Sequence, residues 1–165
     1  MKAAVLLIDG RSGSGKTELA RAIVAGSSAA QLVRLDDLYP GWDGLDAASA
    51  AVPGILKSGR WQSWDWGTGT AGHWHELQPG RPIVIEGVGA LSRASKPLAM
   101  LAIWVELDDA TRKQRALERD EYFAPFWDRW AAQEEAFIAR EHPQALADLI
   151  VDGTHAAAFS LEWDA

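Results

Sequence analysis

The stretch Gly10-Arg11-Ser12-Gly13-Ser14-Gly15-Lys16-Thr17 constrains this chain more than any other. Its spacing, G-x-x-x-x-G-K-[ST], folds successive backbone N–H groups around a phosphate. Lys16 is placed to reach the β- and γ-phosphates of a nucleotide, and the Thr17 hydroxyl to ligate Mg²⁺. The flanks agree with that reading. Ala3 to Ile8 is an unbroken apolar run, which suits a strand buried on both faces of a parallel sheet. Glu18 to Ala25 puts Leu19, Ala22 and Ile23, with Ala20, on one face of a helix. Gly10, Gly13 and Gly15 let the backbone turn inward, and the helix N-terminus aims its partial positive charge at the anion. A flexible Gly/Ser turn joining a strand to a helix is the plain alternative.

Further along, Gln31 to Leu35 reads as a second short strand, running into Asp36-Asp37-Leu38-Tyr39-Pro40-Gly41-Trp42. Leu45 to Leu56 is weakly helical and alanine-rich, and Pro53-Gly54 is expected to interrupt or end it. From Lys57 to Gly80 there is little helical period. Pro82 to Val88 is a third apolar strand, carrying Glu86 at its end, and Met100 to Leu107 is a fourth. Asp109 is expected to cap a helix bearing Arg112, Arg115 and Arg119, which breaks over Asp120 to Pro125. A longer amphipathic helix follows from Phe126 to Glu141, then a turn of helix over Pro143 to Ala147 and a fifth strand from Asp148 to Gly153.

Five strands alternating with helices predict an α/β fold. The expected form is a three-layer sandwich, a five-stranded parallel sheet with helices on both faces, within one domain spanning 1–165. In such sheets ligands gather at the carboxyl ends of the strands. Gly10, Asp36, Glu86 and Asp108/Asp109 are therefore expected along one edge.

The charge balance narrows the partners. A net charge of −7 argues against a nucleic-acid or anionic-membrane partner, which would call for a basic face. With no cysteine there is no disulfide frame, thiolate nucleophile or cysteine-built zinc site. The apolar strand near the first residue leaves no room for a signal peptide, and no apolar run nears the roughly 20 residues of a membrane span. A cytoplasmic monomer or homodimer is the expectation.

Phosphoryl transfer needs a phosphate cradle, a metal, an acceptor held in line, a base, and cations around the moving charge. Asp36 or Asp37 is placed to take a proton from an acceptor hydroxyl or to hold a Mg²⁺-bound water; an Asx turn would use the same residues. Glu86 closes an apolar strand and needs a partner, which a Mg²⁺ shell, the Thr17 hydroxyl or backbone amides would supply. Arg112, Arg115 and Arg119 lie at i, i+3 and i+7 on one helix face. They belong either to a lid over the phosphates, around 112–126, or to a solvated face paired with Glu118 and Glu121.

Of nine tryptophans, Trp42, Trp61, Trp64, Trp66 and Trp74 crowd into one third of the chain, where an acceptor would bind. Their faces suit a planar base or a sugar, or else pack a loop on the core. His73 and His75 lack the further ligands that a metal site needs. Between Asp36 and Ser58 the only basic residue is Lys57, so an acceptor carrying a phosphate is disfavoured and a neutral alcohol preferred.

Taken together, GRSGSGKT after the opening strand, DDLY at 36–39, VIEGV at 84–88 and the R-x-x-R-x-x-x-R-D run from Arg112 to Asp120 resemble the uridine kinase-like branch of the P-loop kinases. The resemblance implies the P-loop NTPase fold, ATP as donor and Mg²⁺ as its metal. It implies that Lys16 and residues Gly10, Ser12, Gly13, Ser14, Gly15 and Thr17 hold the nucleotide. Asp36 would be the general base and Tyr39 would line the acceptor pocket. Glu86 would assist Thr17 and Asp36 at the metal. Arg115 and Arg119, with Arg112, would act from the lid. Trp64 and Trp66 are the acceptor-side candidates. Uridine kinases are longer and carry an extra β-hairpin for which this chain has no room, and the Trp-rich stretch from Trp61 to Trp74 is expected in its place. The function expected is ATP-dependent phosphorylation of a neutral small-molecule hydroxyl. The alternative is an ATP-binding regulatory module that phosphorylates no metabolite. A GTPase switch is disfavoured because Asn-Lys-x-Asp is absent.

Overall fold

A computed structural model describes residues 3–161; positions 1–2 and 162–165 of the expected 1–165 domain lie outside the described residues. Among the described residues seven strands and five α-helices follow in order. They are β1 (Val5–Gly10), α1 (Lys16–Ala25), β2 (Gln31–Arg34), α2 (Leu45–Ser58), β3 (Arg60–Asp65), β4 (Thr70–Glu76) and β5 (Ile83–Glu86), then β6 (Leu101–Glu106), α3 (Asp109–Arg119), α4 (Trp127–Glu141), α5 (Pro143–Leu146) and β7 (Leu149–Asp152).

Five strands form the expected parallel sheet, in the order β2-β5-β1-β6-β7. β1 lies at its centre and all six of its residues are buried, which is why it reads as a continuous apolar run. Alternate side chains feed two cores. Leu7, Val33, Ile85 and Ala102 pack with residues of α2 and α4 on one face. Leu6, Ile8, Val84, Ile103 and Val105 pack with Leu19, Ala20 and Ile23 of α1 on the other. The result is the α/β three-layer sandwich that the alternation of elements implies.

Three local expectations are corrected. First, Pro53-Gly54 neither ends nor divides α2, which runs from Leu45 through Ser58 with Pro53 inside it. An interior proline costs about 3 kcal/mol. Leu45, Ala48, Val52 and Ile55 are all buried on this helix, and side chains of that size recover roughly 1.5–3 kcal/mol each. Tertiary packing outweighs the local signal. Second, Asp108 rather than Asp109 caps α3, accepting from the Thr111 amide at 2.9 Å. Third, the Trp-rich stretch is not a replacement for a β-hairpin but is one. β3 and β4 pair antiparallel, from Arg60↔Glu76 to Asp65↔Thr70. Asp65 closes the turn by accepting from the Gly67 and Thr68 amides at 2.9 and 3.1 Å.

Register places the site. Ile8 of β1 and Arg34 of β2 both stand level with Glu86 of β5. The loops leaving these three strands therefore begin at one height on one edge of the sheet. Among the described residues no helix is long and apolar enough to cross a membrane.

Candidate active site

The loop between β1 and α1 lies at the carboxyl edge of the sheet, wedged against its neighbours. Gly13 has φ +79°, and a Cβ there would lie 2.1 Å from the Arg112 carbonyl oxygen. At Gly153, a Cβ would come within 2.0 Å of the Ser14 carbonyl oxygen. Any side chain at either position would displace the loop, so glycine is required by contact at both and by backbone angle as well at Gly13.

Lys16 is buried and its Nζ donates to the Arg11 carbonyl at 3.0 Å. Thr17 Oγ1 donates to Glu86 Oε1 at 3.0 Å. Of the partners open to Glu86 from the sequence, the structure thus supplies the Thr17 hydroxyl and adds another. Arg34 Nε donates to the same Oε1 at 3.2 Å, and its Nη2 reaches Asp36 Oδ2 at 3.3 Å. Burial raises the Glu86 carboxyl above its ordinary range, against the pull of Lys16, the Thr17 bond and Arg34.

These groups face a cavity of about 1040 Å³. Ser12, Gly13, Gly15, Lys16 and Thr17 line one end of it, with Arg34, Asp36 and Glu86 beside them. Tyr39, Trp42, Trp66, Phe123, Phe126 and Trp130 line the other end. Trp42 is the hub of that aromatic wall. It stacks on Phe126 at 4.4 Å between centroids and on Phe123 at 5.3 Å. It also meets Trp66 at 5.1 Å and Trp130 at 6.2 Å. From the hairpin, the Trp66 indole N–H donates to the Asp36 carbonyl at 2.9 Å. Tyr39 packs edge-on to Trp130 at 4.7 Å and donates its hydroxyl to the Val88 carbonyl at 2.7 Å. Its ring, not its hydroxyl, is what it offers the cavity.

The remaining sequence candidates separate. Arg119 lines this cavity, and with Arg115 it also lines a smaller one of about 540 Å³ bounded by Gly13, Gly15, Gly153 and Ala156. Arg115 Nη1 donates to the Gly153 carbonyl at 3.2 Å. Arg112 lies behind the loop. It is buried, and its Nη1 donates to the Ser12 carbonyl at 3.1 Å while Nη2 pairs with Asp109 at 2.5 Å. Gly10, Ser14 and Trp64 do not line the large cavity. Gly10 ends β1, and Ser14 is fully buried, its hydroxyl without a hydrogen-bond partner among the described residues. His75 stacks on Trp61 at 4.1 Å, on the hairpin.

Three polar residues escaped the sequence reading. Arg34 was passed over because it sits inside a strand. Asp9 is fully buried and accepts from the amides of Gly10, Gly89 and Leu91, at 2.7 to 3.2 Å. Burial pushes its carboxyl up to about 7. Glu134 of α4 is also fully buried and grips the Arg11–Ser12 end of the loop. Its signal was present as a lone carboxylate in the apolar face Trp127, Trp130, Phe137.

The donor set fits a magnesium nucleotide. A loop with positive φ at Gly13 and Gly15, a buried ammonium, and a hydroxyl beside a buried carboxylate open on one cavity.

No protein-family model matches the sequence, and no curated protein matches it. Solved structures do match in fold. A possible uridine kinase from Bacillus stearothermophilus superposes with a TM-score of 0.63 at 21% identity, over 92% of this chain and 90% of that one. A gluconokinase from Sinorhizobium meliloti 1021 gives 0.55 at 16% identity, over 95% and 89%. An uncharacterized protein from Eubacterium ventriosum ATCC 27560 gives 0.52 at 13%, over 94% of each chain. What these solved structures share with the chain is the fold, a five-stranded parallel sheet flanked by helices.

Proposed function

We propose that this protein is an ATP-dependent small-molecule kinase that phosphorylates a hydroxyl of a neutral acceptor, such as a nucleoside or a sugar-like alcohol. The observation that carries the reading is the convergence of Lys16, Thr17, Asp36 and Glu86 on one cavity whose far wall is aromatic. The names of two structural neighbours, a possible uridine kinase and a gluconokinase, support phosphoryl transfer to a small molecule.

When bound, MgATP supplies the γ-phosphoryl group and the divalent charge. The chain's part is to bind, orient and move one proton. The loop amides and Lys16 would hold the phosphates, and the smaller cavity beside Gly153 and Arg115 would take the nucleoside end. Thr17 and Glu86 would hold the metal, and Asp36 is tied to Glu86 through Arg34. Asp36 would take the proton of the acceptor hydroxyl, and Arg119 would face the charge of the transferred group, with ADP as the leaving group. Arg34 holds Asp36 and Glu86 apart in fixed orientation. Asp36 and Glu86 both pair with Arg34, which supports a neutral rather than an acidic acceptor. Tyr39 and Trp66 offer flat faces to the acceptor.

The test is a panel of nucleosides, sugars and other alcohols assayed for ATP-dependent phosphorylation, followed by Asp36→Asn on whichever is turned over. The variant is expected to lose about 100-fold or more in kcat, with affinity for a non-hydrolysable ATP analogue within a few-fold. Normal turnover by Asp36→Asn would remove the base. Nucleotide binding with no acceptor phosphorylated would favour a regulatory module.

A further inference from the structure

Helix α4 buries Trp127, Trp130 and Phe137, and among them one carboxylate, Glu134, with no exposure to solvent. An apolar side chain there would avoid the desolvation that a buried charge suffers. The carboxylate is nonetheless fully used. Glu134 Oε2 accepts from the Ser12 amide at 2.8 Å and from the Ser12 hydroxyl at 2.9 Å, and Oε1 accepts from Arg11 Nε at 3.2 Å. On the other side of the same residue, Arg112 Nη1 from α3 donates to the Ser12 carbonyl at 3.1 Å. Ser12 is held at both its amide and its carbonyl, by two different helices. The adjoining Arg11 carbonyl is the oxygen on which Lys16 Nζ rests.

We propose that Glu134 is a positioning residue for the phosphate loop: it fixes the Arg11–Ser12 limb, and through it the resting place of Lys16, before nucleotide arrives. Glu134 does not line the large cavity, so it acts through Ser12 and Arg11 and touches no substrate. By engaging the Ser12 amide it turns that donor away from the phosphates and leaves the cradle to the amides from Gly13 onward. A loop held in its binding shape loses less freedom on binding, and this is where affinity is gained. One turn earlier on the same helix face, Trp130 forms part of the aromatic wall. One helix therefore supports both ends of the cavity.

The inference rests on the nucleotide half of the proposed function, and the experiment separates the two. Binding of Mg²⁺ with the non-hydrolysable analogue AMP-PNP is measured by calorimetry for the wild type, Glu134→Gln and Ser12→Ala, alongside melting temperature and amide hydrogen exchange. Glu134→Gln keeps the shape but loses the charge that draws Arg11 and the Ser12 donors. It is expected to weaken binding by about 10-fold or more, with faster exchange over residues 11–14 and unchanged exchange in β1. Ser12→Ala loses only the hydroxyl contact and is expected to weaken binding about threefold. Wild-type affinity in Glu134→Gln, even with a lowered melting temperature, would make Glu134 a core residue only and overturn the proposal. Should Glu134→Gln not fold, unchanged affinity in Ser12→Ala would overturn it instead. If the wild type itself fails to bind the analogue, the proposed function falls and this inference with it.

Discussion

The two ends of the large cavity are made in different ways. The phosphate-loop end uses backbone amides, one ammonium, one hydroxyl and two carboxylates, held at distances of about 3 Å by strands in fixed register. The opposite end uses rings from separate segments: Trp42 after β2, Trp66 at the hairpin tip, Phe123 and Phe126 before α4, and Trp130 within it. Hydrogen bonds weaken steeply with distance and angle, so the first end has to be specified residue by residue. Ring packing tolerates offset stacks and edge contacts alike, so the second end can be assembled from whichever segments bring an aromatic to the place. Hydrogen bonds shape one end, and ring packing shapes the other.

That contrast can be broken most sharply at Lys16. Lys16→Met is expected to weaken nucleotide binding by about 100-fold or more, since removal of one preorganised donor at a charged site costs on that scale. Its resistance to denaturant should change little. A folded variant that still binds nucleotide at wild-type affinity, by calorimetry, would deny the loop its role.

Trp42→Ala should show the opposite split. Loss of the hub of the aromatic wall is expected to lower unfolding stability by about 2–4 kcal/mol in a denaturant titration, while Mg·AMP-PNP affinity stays within about threefold. Equal damage to both properties would mean that the two ends are not separable.

Beneath the polar end, Asp9 of β1 should carry a pH dependence that the rings of Trp42, Phe123 and Phe126 cannot. Asp9 has a folded pKa near 7, above its unfolded value. The folded chain thus holds a proton that the unfolded chain releases, and the stability linked to it is lost as pH rises from about 4 through 7. The expected change is on the order of 4 kcal/mol, about three pKa units at about 1.4 kcal/mol each. Melting curves across that range should slope downward with pH, more steeply in the wild type than in Asp9→Asn. Parallel slopes would place the titration elsewhere.

The smallest effect is expected at the join between the ends. Trp66→Phe keeps a ring but removes the indole donor to the Asp36 carbonyl. Trp66 is 42% exposed, so a stability loss of about 1 kcal/mol or less should result. The acceptor KM should rise about threefold or more in a steady-state assay, because the hairpin tip no longer anchors over Asp36. An unchanged KM would detach the hairpin from the acceptor site.

Much of the polar end was legible in the residues themselves. The strand, loop and helix from Val5 to Ala25 could be read because a phosphate cradle depends on local spacing. Glu86 stood out as a carboxylate closing an apolar strand. Arg34, Asp9 and Glu134 did not, since each is an ordinary residue for its local position and gains its meaning from a partner on another element. The hairpin had a local signal in Asp65-Trp66-Gly67-Thr68-Gly69, flanked by tryptophan and threonine, which favour strands. Length alone argued against it, and wrongly.

The sequence by itself therefore determined the alternation of strands and helices, the α/β class and the place of the glycine-rich loop between β1 and α1, because period and short-range spacing are properties of neighbouring residues. Only the tertiary structure decided that α2 runs through Pro53, that Arg112 braces the loop from behind, and that Trp42 gathers rings from the hairpin, α4 and the turn before it. Those outcomes depend on burial and on hydrogen bonds between residues about 30 to 120 positions apart, whose free energies no local pattern encodes.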